Sequence, residues 1–297
     1  MTTPTLSPVR SVAFLGLGAM GAPMCRRLLP FHDVTVFDVA ADRVVELREA
    51  GAAVGASPAD AAKGADAVVL AVRDAAQLQA SLFGPDGVAP VLSPGAVVIL
   101  TSTVGPAVVR DTASRLAALD VAVLDAPVSG GPVRAGKGDL VVMVGAETAV
   151  LDRCRPVLDR LASSVAHVGP RPGDGQAMKV VNQLLCGVHI AAAAEALTLA
   201  KALGVDPQAA LDVLGKGAAA SFMLADRGPR MLADEPPVRS RLDIFVKDMG
   251  IVTDVAREAG VATPVAGAAE QLYLLGKRAG HGSRDDSRVI DVLDPRA

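Results

Sequence analysis

The stretch SVAFLGLGAMGAPMCRRLLPFHDVTVFD, residues 11–38, decides the fold. Its opening, SVAFLG (11–16), predicts a short buried strand that breaks into a glycine-rich turn. Met20, Met24 and Leu28 then recur at intervals of four, the apolar stripe of a helix. The run VTVFD (34–38) predicts a second strand, and Asp38 closes it 22 residues after Gly16. Strand, Gly16-x-Gly18-x-x-Gly21, helix, strand and acid form the dinucleotide-binding fingerprint in its required setting. Gly16 permits the tight turn, Gly18 lets backbone approach a pyrophosphate, and Gly21 lets helix and strand pack closely. The loop Gly16, Leu17, Gly18, Ala19, Met20, Gly21 is thus the expected pyrophosphate site, with N–H groups at the helix start facing the phosphates. Asp38 is expected to accept hydrogen bonds from ribose hydroxyls and to repel a 2′-phosphate, which favours NAD over NADP. Arg43 is the nearby candidate partner for such a phosphate, though it reads first as a solvated residue of the next helix.

Outward from this stretch the alternation continues. ADAVVLAV (65–72), AVVILTS (96–102), VAVLDAP (121–127), LVVMVGA (140–146) and SSVAHVG (163–169) are strand candidates, with helical intervals such as 74–82 and 106–118 between several of them. Strands apolar throughout and separated by helices predict a mostly parallel, doubly wound Rossmann sheet. Ligands bind beyond the carboxyl ends of such strands, which singles out the loops 72–77, 102–106 and 126–131. After GPRPGDG (169–175) the pattern turns helical, over about 176–203, 207–215, 220–233, 240–259 and 263–279. The expected organisation is an α/β Rossmann domain over residues 1–172 and an all-α domain over 173–297. The second is built on one long helix, about 39 Å over residues 178–203.

Composition narrows the function. Of 297 residues, 51% are hydrophobic and 21% charged, enough for a sizeable core. A net charge of −3 without a basic run gives no footprint for nucleic acid, and one Tyr with no Trp makes a stacking platform improbable. Cys25, Cys154 and Cys186 are too scattered for a zinc site or a disulfide framework. No metal site is expected, and reduced thiols suit a cytoplasmic protein. Residues 1–10 lack the apolar stretch of a signal peptide. Cys186–Leu203 has the apolarity of a membrane span, but it is mostly alanine and carries His189, Glu195 and Lys201; a core helix of a soluble protein is expected.

The stretch GDGQAMKVVN (173–182) places Lys179 and Asn182 three residues apart on one helix face. Alone, the lysine reads as a solvated residue, because burying an unpaired ammonium is costly. DAPVSGG (125–131) sets Ser129 beside the backbone N–H groups of Gly130 and Gly131, a ready cradle for a carboxylate, or else a mere flexible turn. No G-x-S-x-G elbow accompanies the serine, and His32, His167, His189 and His281 sit in no triad context. Lys247, in DIFVKDMG, either snorkels from a packed helix or closes over a cofactor.

Together GLGAMGAPM, TSTVGP, DAPVSGGPVRAGKG, GDGQAMKVVNQ and FVKDMG resemble the β-hydroxyacid dehydrogenase family across about residues 11–290. The family includes 3-hydroxyisobutyrate dehydrogenases, tartronate semialdehyde reductases and L-threonate-type sugar-acid dehydrogenases, and the resemblance is strongest to the last. It implies an active site in the cleft between a Rossmann and a helical domain. It also implies that Lys179 is the catalytic lysine with Asn182 as its neighbouring substrate contact, and that Ser129, Gly130 and Gly131 hold the substrate carboxylate. Thr103, Val72, Gln77 and Lys247 fall at positions that contact the dinucleotide. Val72-Arg73 replaces the Leu-Pro of many members, a departure at the cofactor-side loop. Imine reductases of similar fold typically replace the lysine, so Lys179 points to hydroxyl/carbonyl chemistry.

The mechanism expected from these residues is hydride transfer from a small hydroxycarboxylic acid to NAD, with Lys179 accepting the hydroxyl proton. A free lysine titrates near ~10.4, and burial would lower that value. The expected substrate is a four-carbon sugar acid such as L-threonate, the alternatives being 3-hydroxyisobutyrate and tartronate semialdehyde. A non-catalytic NAD-binding regulator is the alternative of another class. A homodimer or homotetramer joined through the helical domain is expected, with no nucleic-acid or membrane partner. Phe222, Met223 and Phe245 are candidates either for the substrate pocket or for the helical core.

Overall fold

The computed structural model describes residues 8–293. By internal contacts the chain forms two units, residues 1–179 and 180–297.

The first unit is built on a sheet of nine strands: β1 (Ser11–Leu15), β2 (Asp33–Phe37), β3 (Ala53–Val54), β4 (Ala67–Leu70), β5 (Val97–Leu100), β6 (Ala122–Asp125), β7 (Val128–Ser129), β8 (Leu140–Gly145) and β9 (Ala162–Gly169). The spatial order is β3-β2-β1-β4-β5-β6-β8-β7, with β9 also paired to β8. From β3 to β6 every pairing is parallel; β8 runs antiparallel to β6 and β7. The helices are α1 (Gly21–Leu28), α2 (Asp42–Glu49), α3 (Pro58–Ala62), α4 (Ala75–Phe83), α5 (Pro106–Ala117), α6 (Gly131–Lys137) and α7 (Thr148–Leu161).

Alternation within single strands explains the layering. In β1, Val12 and Phe14 join a core with α1 and α7, whereas Ala13 and Leu15 join a separate core with α3, α4 and α5. All of β4 and β5 is buried, so both faces are covered and a continuous apolar run is required. Crossing from β1 to β2 in one direction and from β1 to β4 in the other opens a crevice at the carboxyl ends of β1 and β4. The expected glycine loop follows β1, and Val72 follows β4.

α8 (Asp174–Ala202) carries the chain into the second unit, which continues with α9 (Pro207–Leu214), α10 (Phe222–Leu232), α11 (Leu242–Glu258) and α12 (Pro264–Arg278). Its core contains Ile190, Ala194, Leu197, Leu242, Met249 and Tyr273. Tyr273 donates to the Gly187 carbonyl at 2.8 Å and stacks on Phe245 with ring centroids 5.3 Å apart. A Cβ at Gly187 would meet Met249 Sδ at 2.2 Å, so helix packing there depends on the missing side chain. α8 is long and apolar enough to cross a membrane by length and composition, and 44% of its most apolar window is buried. Buried ion pairs tie α10 to the C-terminal segment, with Arg230 Nη1 at 2.5 Å from Asp285 Oδ2 and Arg227 Nη2 at 2.9 Å from Asp286 Oδ2.

The packing boundary falls inside α8, after Lys179. The polar side chains at the start of α8 account for this, because Gln176 and Lys179 bond to loops of the sheet.

Candidate active site

The glycine loop has the geometry its sequence requires. Gly16 has φ +94°, and a Cβ there would lie 2.6 Å from the Ala71 carbonyl oxygen. A Cβ on Gly21 would lie 1.9 Å from the Gly16 oxygen, so only glycine lets α1 start against the loop. Beside Gly18 a Cβ would meet nothing within 4 Å, leaving open space at the point of closest backbone approach. α1 begins after Met20 with no side-chain cap and no acid in its first turn, so its leading N–H groups have no side-chain acceptor competing with a phosphate. Leu17 and Ala19 complete the loop between these positions. The residues present fit a dinucleotide pyrophosphate.

Asp38 follows β2 and is held by the loop itself. Its Oδ2 accepts from the Leu17 N–H at 2.6 Å, and its Oδ1 accepts from the Ala40 N–H at 2.8 Å. The reading of Arg43 as merely solvated needs amendment: it is half exposed, yet Nη1 stands 3.5 Å from Asp38 Oδ1. On the β4 side, Val72 packs against the second sheet core. Gln77 turns back on its own loop, its Oε1 accepting from the Arg73 N–H at 2.9 Å. Asp74 caps α4 by accepting from the Gln77 N–H at 2.9 Å, and Arg73 pairs with Asp74 at 3.2 Å.

Lys179 is 6% exposed, against the solvated alternative. Its Nζ donates to the Val128 carbonyl at 2.8 Å. Val128 immediately precedes Ser129, so the amine sits against the loop expected to hold a carboxylate. Ser129 is not in an open loop: it forms the two-residue strand β7 with Val128, because the chain doubles back onto β8. Gly130 and Gly131 have φ +143° and +78°, and α6 begins at Gly131 without a side-chain cap.

Two residues not singled out from sequence join these motifs. Gln176 is fully buried; its Oε1 accepts from the Val104 and Gly105 N–H groups at 3.0 Å each. Its Nε2 donates to the Ser102 carbonyl and to Asp125 Oδ1, both at 3.0 Å. Asp125 ends β6, is fully buried, and through Oδ2 accepts from the Gly173 N–H at 2.8 Å and the Gln176 N–H at 2.9 Å. Burial pushes the Asp125 carboxyl up to about 6, against the opposing hydrogen bonds from Gln176 and Gly173. The bracketing residues of Thr103 are thus tied to the start of the helix that carries Lys179. Both polar residues stand in the quoted motifs DAPVSGG and GDGQAMK; Asp125 closes an apolar strand run, an available signal, whereas Gln176 in the first turn of α8 had none.

Asn182 lies one turn along α8 from Lys179, in the second unit. Its Nδ2 donates to Gln183 Oε1 at 2.9 Å and contacts Cys186 Sγ at 3.3 Å. Gln183 Nε2 donates to Asp248 Oδ2 at 2.5 Å, and Lys247 Nζ donates to Asp248 Oδ1 at 2.5 Å. Lys247 is therefore paired with its own neighbour in a buried polar chain that reaches Asn182. Phe245, 3% exposed and stacked on Tyr273, belongs to the helical core; Phe222 is 56% exposed. Among the described residues no group of three or more His, Cys, Asp or Glu could hold a metal ion. Cys25 and Cys154 are buried thiols pushed up to about 12 by desolvation, hence unreactive.

Two family models match the chain. One, described as the NAD binding domain of 6-phosphogluconate dehydrogenase, covers residues 11–169; the other, described as NAD-binding of NADP-dependent 3-hydroxyisobutyrate dehydrogenase, covers 173–293. The L-threonate dehydrogenase of Cupriavidus necator is 39% identical over 96% of each chain. That of Escherichia coli K12 is 38% identical, covering 95% of this chain and 94% of its own length. Among solved structures, 3-hydroxyisobutyrate dehydrogenase from Salmonella typhimurium superposes with a TM-score of 0.90 at 38% identity, over 95% of this chain and 99% of that one. With its glycine loop, doubly wound sheet and buried lysine in the same order as its motifs, the chain belongs to the β-hydroxyacid dehydrogenase family of nicotinamide-dependent oxidoreductases.

Proposed function

We propose that the protein oxidises a four-carbon sugar acid, L-threonate being the preferred substrate, with NAD as acceptor and Lys179 as the proton carrier. The observation that carries this reading is the Lys179 amine, buried and held 2.8 Å from the Val128 carbonyl, next to Ser129. The name carried by the Cupriavidus and Escherichia relatives supports the choice of substrate. Residues 1–172 are assigned to the cofactor and residues 173–297 to substrate selection and assembly.

Bound nicotinamide supplies the hydride acceptor. The Ser129 hydroxyl and the Gly130 and Gly131 N–H groups receive the substrate carboxylate, which fixes the carbon bearing the hydroxyl. Lys179, its Nζ held against the Val128 carbonyl, accepts the hydroxyl proton of the substrate and returns it in the reverse direction. Asn182, uncharged, donates to the substrate. Ala19 and Met20 offer backbone N–H groups to the pyrophosphate, Leu17 fastens the loop through its N–H on Asp38, and Val72, Gln77, Thr103 and Lys247 flank the cofactor. Asp38 accepts from the ribose hydroxyls, which supports NAD over NADP even with Arg43 beside it.

A homodimer or homotetramer is assigned from the apolar residues Val181, Leu185 and Leu199 exposed along α8 and Leu203 just past its end, and native mass measurement reads it directly. Free cysteines suit a reducing cytoplasm. The discriminating experiment is a panel of L-threonate, 3-hydroxyisobutyrate and glycerate assayed for NADH and NADPH formation. The highest kcat/KM is expected for L-threonate with NAD. A preference for 3-hydroxyisobutyrate would replace the substrate, and NAD binding without turnover of any acid would favour a regulatory protein.

A further inference from the structure

Gln176 has a fixed polarity. Its Oε1 faces two backbone donors, the N–H groups of Val104 and Gly105, so its amide cannot be turned over without placing an NH2 group against them. Nε2 must then donate, and it does so to Ser102 O and Asp125 Oδ1. The other Asp125 oxygen is occupied by the Gly173 and Gln176 N–H groups at the start of α8, where a carboxylate also opposes the helix dipole. Every hydrogen facing Asp125 in these bonds comes from a donor, so the network requires an acceptor at both oxygens. The same carboxylate explains a glycine: a Cβ on Gly175 would lie 2.9 Å from Asp125 Oδ2 and 2.6 Å from the Met143 carbonyl oxygen.

Two side chains therefore hold three loops at once. The backbone of 102–105, the end of β6 leading to Val128, and the first turn of α8 share one buried set of hydrogen bonds. Lys179 stands one turn beyond Gln176 on α8, and Val128, the acceptor of its amine, stands three residues beyond Asp125. A change in the Asp125–Gln176 pair alters the register of donor and acceptor together.

We propose that Asp125 and Gln176 are positioning residues, which act through the 102–105 backbone and the start of α8 to hold Thr103 and Lys179 in place for the reaction. The proposal rests on the dehydrogenase reading for its effect on turnover, but not for its effect on the Lys179 amine.

The polarity argument supplies the test. Asp125→Asn sets an NH2 group against Gln176 Nε2, and Gln176→Glu sets two carboxylates together. The double variant Asp125→Asn with Gln176→Glu restores a donor facing an acceptor between the two side chains, but sets a carboxylate oxygen against the Ser102 carbonyl where Nε2 now donates at 3.0 Å, so recovery is expected to be partial. Acetylation of each lysine by an N-hydroxysuccinimide ester, followed by mass spectrometry, reads the amine independently of turnover. Each single variant is expected to raise the labelling rate of Lys179 about tenfold, with Lys247 unchanged and the double variant returning toward the natural chain. With L-threonate and NAD, the single variants should lose about 10²-fold in kcat, with partial recovery in the double variant. Gln176→Leu, similar in size and without polar atoms, is read the same way should a charged variant not fold. Unchanged Lys179 labelling in the folded single variants, or an equal rise at Lys247, overturns the proposal. Absence of turnover in the natural chain counts instead against the dehydrogenase reading, and the labelling comparison still decides the positioning role.

Discussion

Asp38 holds two tasks in one carboxylate. It fastens the glycine loop by accepting from the Leu17 N–H, and it presents acceptor capacity where a ribose is expected. Asp38→Ser keeps a short acceptor and removes the charge, leaving Arg43 without the carboxylate 3.5 Å from its guanidinium. The expected outcome is a fall of about tenfold or more in kcat/KM with NAD and a gain with NADP, since a well-made charged hydrogen bond contributes about 1.5–3 kcal/mol. Steady-state kinetics with both cofactors check this; an unchanged NAD/NADP ratio removes Asp38 from cofactor choice. Asp125 gives a second prediction, in stability. Burial raises its carboxyl to about 6 in the folded chain, above its unfolded value, so relative to the unfolded chain the fold gains stability as the carboxyl protonates, although its hydrogen bonds are accepted by the carboxylate. That contribution is complete below about pH 4 and is lost as pH rises through about 6, amounting to about 3 kcal/mol. Urea unfolding at pH 4.5 and pH 7.5 should therefore show the natural chain losing stability relative to Asp125→Asn as pH rises. A difference between the two proteins that does not change with pH would contradict the buried, ionising carboxyl.

At the scale of elements, α1 and α8 carry the account, and each begins at a glycine-dependent approach. Gly21→Ala forces a Cβ into the Gly16 carbonyl, and neither group is a flexible side-chain end that can swing away. About 3 kcal/mol of stability and most of the NAD affinity should be lost, measured by chemical denaturation and cofactor titration. Unchanged NAD affinity in that variant would separate the glycine loop from the cofactor. The elements that sequence revealed are those with a clear pattern: β4 and β5 are apolar throughout and β1 is apolar after Ser11 because both faces are covered, and Met20, Met24 and Leu28 recur from the start of α1 to its end. The elements it hid are two residues long. β3 and β7 carry no period, and pairing of Val128 and Ser129 with β8 is a tertiary event that SGG alone does not specify. The same limit applies to the site. Lys179 and Ser129 were singled out through motif order, whereas the pairing of Asp125 with Gln176 joins residues 51 positions apart and has no local signature. Arg43 and Lys247 were read from their neighbours in sequence, and their partners Asp38 and Asp248 emerged only from folded geometry.

For the whole molecule, the packing boundary inside α8 means that the two residues assigned to proton transfer and substrate contact belong to different units. Lys179 is fixed by Val128 in the first, and Asn182 joins the Gln183–Asp248–Lys247 chain in the second. Loss of Asn182 is accordingly expected to raise KM for the acid more than it lowers kcat, whereas loss of Lys179 acts on kcat. The most direct test of the central claim compares the natural chain with Lys179→Ala for NADH formation from L-threonate, alongside NAD titration of both proteins. The predicted result is a loss of about 10³-fold or more in kcat with NAD affinity kept within about threefold. Turnover by Lys179→Ala within about tenfold of the natural chain would contradict it.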